Sequence, residues 1–379
     1  MTMPEPAPDA SLQFLEDWWL NSAAPLWLDH GVDWRGRGFF DQLSLTDAAN
    51  VADIKRVRVC ARQIFVFARL ARHGVPRARA AVDHGLACLL GPMRHSDGGF
   101  VRSIDLAGRA RDDTRDLYDQ AFVLFALAHA YRLLGDEGLV AEARRLFALI
   151  EQHFRHPIIG LVEALPATLP RRQNPHMHLL EACLAWMEAG LDGPWTALAD
   201  ELVGLMRERF FSEPEARLFE FFDDRLELIA DPASQVFEPG HHFEWVHLIG
   251  QGRKAGVAGC DEYLPGLLAR TALERGISPR TGIPLGSVDR AGVPVDPDCR
   301  IWQLCEWLRV ATDRPDIAGA ASRPATALIA MLDVPLRGLW RERRNALTGK
   351  VQDEPCPASS LYHIMTGTES FVFGISDQG

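Results

Sequence analysis

The chain has 379 residues, 47% hydrophobic and 24% charged, which is the composition of a folded chain with a large core. A net charge of −11 and an isoelectric point of about 5.6 argue against nucleic acid or an anionic membrane as the main partner. Seven cysteines without a C-x-x-C pair suit reduced thiols in a cytoplasm better than a disulfide frame or a zinc site.

No apolar stretch reaches the roughly 18 residues needed to span a bilayer, so a soluble, cytoplasmic protein is expected. Residues 1–10, MTMPEPAPDA, lack the basic start and apolar run of a signal peptide and read as a disordered lead. Residues 11–379 hold no linker rich in Pro, Gly or Ser and are expected to form one domain.

The first predicted helix is SLQFLEDWWLNSA, from Ser11. Six glycine-centred segments follow, starting at Gly36, Asp97, His156, Glu215, Arg280 and Leu336. Each is short, alternating or aromatic-rich and carries turn residues, so each predicts a strand or hairpin. They recur about every 60 residues, and between them the apolar period is helical. DIKRVRVCARQIFVFARLARHG, from Asp53, closes at Gly74, and a second helix runs through AVDHGLACLL. The next unit repeats this with LYDQAFVLFALAHAYRLLG and EGLVAEARRLFALIEQHF, and the third with NPHMHLLEACLAWMEAG and PWTALADELVGLMRERF. The fourth pairs EPGHHFEW and its continuation with YLPGLLARTALERG, and the fifth pairs DCRIWQLCEWLRVAT with IAGAASRPATALIAML. The sixth supplies PASSLYHIMTG, whose partner is the N-terminal helix.

Six helical hairpins whose chain ends meet predict an all-α fold, an (α/α)6 barrel with short β-hairpins in the connecting loops. An open solenoid would need polar capping helices. Trp18 and Trp19 in the first helix argue against that.

The unusual polar residues fall in register on the first helix of each pair. In order they are Arg58 and Arg62, Tyr118 and Asp119, Asn174 and His178, His241 and Glu244, Trp302 and Glu306, and His363. Equivalent positions in a ring of hairpins converge on one end of the central cavity, which predicts a concave pocket with polar groups on an aromatic wall.

His241 and Glu244 stand three apart on one helix face, so Glu244 is expected to hold the His241 ring. His178 and Glu181 repeat that spacing. A histidine oriented by a carboxylate suits acid/base work near neutral pH. Structural readings stand beside these. Arg62 suits a core ion pair or a substrate-oxygen ligand, Tyr118 and Asp119 a helix cap or the pocket, and Trp302 the core or a sugar-stacking surface. His176 and His242 face away from their neighbours. Arg171 and Arg172 precede NPHMH and are candidates to meet a sugar phosphate. The order His-x-x-Glu reverses that of di-iron bundles, and there is no P-loop, dinucleotide fingerprint or nucleophile elbow, so neither metal nor cofactor is expected.

Taken together, EPGHHFEW, NPHMHLLEA, DLYDQAFVLFALA and ASSLYHIM resemble the N-acylglucosamine 2-epimerase superfamily, most closely its D-mannose isomerase branch, over about Trp34 to Ile364. The resemblance implies an (α/α)6 barrel and metal-independent aldose–ketose isomerisation or C2 epimerisation of a monosaccharide. It implies that His241 and His363 are the acid/base pair. It also implies that Arg62, Tyr118, Asn174, His178, Glu244, Trp302 and Glu306 line the sugar pocket. His176, Gln303 and Cys305 depart from the family's usual residues, which touches substrate preference more than chemistry. Mannose-to-fructose isomerisation through a cis-enediolate is the leading expectation, in a monomer or homodimer. A 2-epimerase and, more distantly, an inverting glycoside hydrolase built on Asp119, Glu244 and Glu306 are the alternatives. Which histidine takes the C2 proton stays open.

Overall fold

The computed structural model describes residues 8–373. Six helices form an inner ring: Val57–Arg72, Leu117–Leu134, Gln173–Glu188, Pro239–Lys254, Ile301–Asp313 and Leu361–Phe373. Each packs on the next, and the sixth packs back on the first, so the ring closes. Six outer helices back them: Ala78–Leu89, Glu137–Leu149, Trp195–Leu205, Tyr263–Gly276, Ser322–Leu332 and, for the sixth unit, Pro8–Trp18. This is the expected (α/α)6 barrel.

The two rings differ in sequence as their surroundings require. In the second inner helix every residue from Asp119 to Ala130 is buried, the pattern of a helix covered on all sides. Its outer partner buries Leu139, Val140, Glu142, Ala143 and Leu146, one stripe of a two-faced helix. Asp116 caps the second inner helix by accepting from the Tyr118 N–H at 3.0 Å, and Gly135 ends it in the left-handed conformation at φ 68°.

The N-terminal helix begins at Pro8, inside the stretch read as a lead; residues 1–7 lie outside the described residues. Proline has no N–H to lose at a first helical turn, so it can start the helix. The ring is sealed here by tryptophans. Trp18 and Trp19 are fully buried, Trp18 and Trp27 pack on Trp340, and the Trp19 indole N–H donates to Thr368 Oγ1 at 2.8 Å.

The glycine-centred segments open on tight bridges at equivalent places: Val32 with Phe39, Arg94 with Phe100, Arg155 with Leu161, Phe211–Ser212 with Arg217–Leu218, and Ile277 with Pro284. Longer range pairing then knits unit to unit. Ile54–Arg56 pairs with Ser103–Asp105, Arg115–Asp116 with Ala164–Leu165, Arg171–Arg172 with Phe221–Phe222, and Asp298–Arg300 with Arg343–Asn345. A short strand sits directly before each inner helix or within a few residues of it. The ladders therefore collect at the N-terminal end of the inner ring and fix where its first turns point. Among the described residues no helix is long and apolar enough to cross a membrane, and all seven cysteines are free thiols.

Candidate active site

The nine residues singled out for the pocket all lie on the first two turns of the inner helices. Tyr118, Asn174 and Trp302 are second in their helices, and His241 and His363 third. Arg62, His178, Glu244 and Glu306 are each sixth, one turn deeper. The ring thus stacks two layers of side chains at its N-terminal mouth, because positions four apart share a helix face.

In the upper layer Trp302 stands between the two histidines, its ring 5.0 Å from that of His241 and 5.5 Å from that of His363. Each histidine is oriented by a buried carboxylate. The His363 Nδ1–H donates to Glu306 Oε1 at 2.8 Å, leaving Nε2 for the pocket. The His241 Nδ1–H donates to Glu220 Oε2 at 3.0 Å, with Glu238 at 3.8 Å. The Asn174 amide nitrogen lies 2.8 Å from His241 Nε2, and the amide oxygen is buried without a partner. Half a turn of that amide lets it accept from an imidazolium instead.

Glu244 does not hold His241. Helical side chains lean toward the N-terminus, so His241 reaches up to Glu220 and Glu238 while Glu244 stays a turn below. There Glu244 lies 3.8 Å from His178, and neither of its oxygens has a hydrogen-bond partner. His178 is held by Glu181, which accepts from its Nδ1–H at 3.0 Å and also from the Tyr362 hydroxyl.

Arg62 has no carboxylate partner among the described residues. It donates to the Tyr118 hydroxyl at 2.6 Å and to the Ser359 carbonyl at 3.4 Å, and lies over the Phe122 ring at 4.1 Å. The ion-pair reading fits Arg58, which meets Asp119 at 2.7 Å; the cap of that helix is Asp116.

The two central histidines are pushed apart in acidity. Burial works against a charge on His241, but Glu220 and Glu238 outweigh it and raise its pKa to about 10. Burial, with the nearby Arg62 and His178, holds His363 well below the ordinary histidine value. Burial also lowers His178, and it raises Glu244 well above the carboxylate range with help from Glu306 and Glu181. Near neutral pH the site pairs a charged His241 with a neutral His363.

Other candidates belong to the scaffold. His176 shares its Nδ1 proton with the Arg172 carbonyl at 3.0 Å, and His242 accepts the Leu218 N–H at 2.9 Å. Arg171 does not meet the pocket: it is buried and donates to the carbonyls of Ile159, Leu161 and Asp224. Arg172 is paired with Glu163. A guanidinium this deep needs several acceptors, and the turns around Gly160 and Asp224 supply them.

Carboxylates and histidines here are close enough to share a cation. The ligand atoms of His178, Glu181 and Glu244 lie within 4.8 Å of one another, as do those of Glu244, Glu306 and His363, and of Glu220, Glu238 and His241. The donor sets suit a divalent ion as well as they suit hydrogen bonding, so chelation is a necessary test of the metal-free expectation.

The pattern of the N-acylglucosamine 2-epimerase (GlcNAc 2-epimerase) family matches residues 38–367. The chain belongs to this family. Its members are enzymes that act on sugars. The chain is 36% identical to a mannose-6-phosphate isomerase of Rhizobium meliloti (strain 1021) over 92% of this chain and 93% of that protein. In three dimensions it is similar to a cellobiose 2-epimerase from Bacillus thermoamylovorans B4167, with a TM-score of 0.84 at 18% identity over 97% of this chain and 100% of that one. It is similarly related to a D-mannose isomerase structure, with a TM-score of 0.81 at 19% identity over 96% and 98% of the two chains. At such identities the structural likeness speaks for the fold alone.

Sequence reasoning missed Glu220, Glu238 and Tyr362, which meet His241 and Glu181 in the candidate site. A glutamate inside the aromatic run LFEFFDD was the available signal for Glu220. Tyr362 stood next to His363.

Proposed function

We propose that this protein is an aldose–ketose isomerase that interconverts D-mannose, or a close aldose, and D-fructose through a cis-enediolate. The reading rests on one observation above the rest: His241 and His363 flank Trp302 in opposite environments, His241 held charged by Glu220 and Glu238 and His363 held neutral by burial beside Arg62 and His178. The name of the mannose-6-phosphate isomerase that matches over nearly the whole chain supports isomerisation of a mannose-type sugar, though not its free form.

The chemistry follows from those states. Charged His241 donates a proton toward the ring oxygen and opens the sugar. Neutral His363 takes the C2 proton through Nε2 to give the enediolate, the O2 hydroxyl proton passes to O1, and the His363 imidazolium returns its proton to C1, which leaves the ketose with its carbonyl at C2. Glu306, accepting from Nδ1, steadies the imidazolium that forms. Arg62, with no carboxylate of its own, is placed to stabilise the enediolate oxygen. Six inner-helix N-termini add their positive ends at the same mouth. Each well-placed acid or base supplies roughly 10²–10⁴-fold.

A free sugar fits better than a phosphorylated one. Arg171 and Arg172 are committed elsewhere, Arg58 is paired with Asp119, and Arg300 is paired with Glu342. Proton NMR of mannose incubated with the protein in D₂O tests the proposal. Fructose carrying deuterium at C1 is expected. Glucose formed without fructose would make the protein a 2-epimerase, and no exchange at C2 would remove both readings.

A further inference from the structure

Behind the site the barrel opens again. A cavity of about 950 Å³ occupies the C-terminal mouth and is lined by residues from all six inner helices. Two groups of its wall face the site as well, Glu181 and Arg309. Arg309 is the ninth residue of its helix, one turn below Glu306, and its Nη1 lies 3.4 Å from Glu306 Oε2. The other oxygen of Glu306 is the one that holds His363.

Three carboxylates, Glu181, Glu244 and Glu306, are buried together here. Burial raises Glu306 and Glu244, and Arg309 opposes that rise in both and acts on Glu181 too. The other groups facing the cluster are His178, His247, Tyr362 and His363, with Asp313 behind His247, Arg62 above His363, and the charged His241 a turn above Glu244. His178 and His247 are held neutral chiefly by burial, and Tyr362 keeps its proton. Arg309 is therefore the fixed positive charge in contact with Glu306.

We infer that Arg309 is a positioning residue: from the far cavity it keeps Glu306 ionised, so that Glu306 fixes His363 with its proton on Nδ1 and its lone pair on Nε2. The inference rests on the reading of His363 as the base. Removing the cation lets Glu306 take up a proton at higher pH. His363 then loses its anionic acceptor, and activity is lost from the acid side.

Arg309→Gln tests this by pH–rate profile. Expected are a kcat loss of roughly tenfold or more, the size of a lost hydrogen bond to a charged group, with little change in KM, and an acid limb moved to higher pH. Arg309→Lys keeps the charge and should keep the limb near its original place. In Arg309→Ala the far cavity gives solvent access to the gap, so added guanidinium should restore part of kcat where equal potassium chloride does not. An unmoved acid limb in the Gln and Ala variants, or no guanidinium rescue in a folded Ala variant, overturns the proposal. If the Gln and Ala variants do not fold, the Lys variant decides: a limb shifted by a full unit despite the retained charge overturns it. Nitrogen-15 NMR of labelled histidine reads the His363 tautomer without any turnover. A wild type with Nδ1–H at His363 but no isomerase activity would sink the functional reading and leave Arg309 standing; Nε2–H in the wild type would sink the Arg309 proposal itself.

Discussion

Gly240 stands against the six-membered ring of Trp302: a methyl group on its Cα would come within 2.5 Å of the indole and 2.7 Å of Gln303 Cγ. This glycine, second in the inner helix Pro239–Lys254, is thus what lets Trp302 sit between His241 and His363. Gly240→Ala is expected to push the indole aside, destabilise the fold by roughly 1–3 kcal/mol and cut turnover about tenfold or more. Thermal melts and deuterium exchange measure the two effects separately. Wild-type values for both would show that the packing around Trp302 is looser than this contact implies.

His241→Ala and His363→Ala should each lose activity by about 10²–10⁴-fold while circular dichroism stays that of the folded barrel. Near-normal turnover in either variant would remove that histidine from the chemistry.

The pH dependence follows from the opposite shifts. His241 is raised to about 10, so its acid function persists through neutrality and fades as pH rises toward that value. His363 is held low, so its base function is lost only as pH falls well below the ordinary histidine range. A broad plateau in kcat/KM is expected, with the alkaline limb near 10. A bell centred near the usual histidine pKa would contradict these environments. Stability has the same signs. The His241 contribution is complete below about 6.5 and declines as pH rises through about 10. Neutral His363 costs stability as pH drops below about 6.5, where the unfolded chain binds the proton first.

Glu220→Gln removes the main partner of His241 Nδ1. The alkaline limb should then move down in pH, because the imidazolium loses the charge that sustains it. Glu244→Gln should move that limb much less, since Glu244 makes no hydrogen bond to His241 and is the smaller influence on it. Equal shifts in both variants would restore Glu244 as the orienting group.

Exhaustive chelation should leave turnover unchanged. Activity lost to EDTA and returned by a divalent ion would mean that the histidine and carboxylate groups around Glu244 hold a metal.

What could be read from the sequence was what repeats. Arg62, Tyr118, Asn174, His241, Trp302 and His363 recur at the unit length, so their shared mouth followed from the period. Glu220 does not lie on an inner helix, and its counterparts Glu163 and Glu342 hold arginines rather than a histidine. It comes from a loop between Arg217–Leu218 and Phe221–Phe222, and it reaches His241 only through ladder pairing across units. The His241–Glu244 pairing failed for a different reason: spacing gives a common face but not the depth at which each side chain ends. Arg171 misled because a basic residue beside a pocket motif looks functional until the carbonyls that surround it are seen.

The Trp19–Thr368 hydrogen bond spans 349 residues of chain. At about 5–20 residues per second of synthesis, the N-terminal tryptophan waits on the order of 20–70 s for its partner to leave the ribosome. His363 arrives in the same final stretch. Until then the five hairpins made before it have an uncovered seam and, on the proposed mechanism, half an acid/base pair. On the proposed mechanism, the helix that closes the ring, Leu361–Phe373, is also the one that completes the acid/base pair.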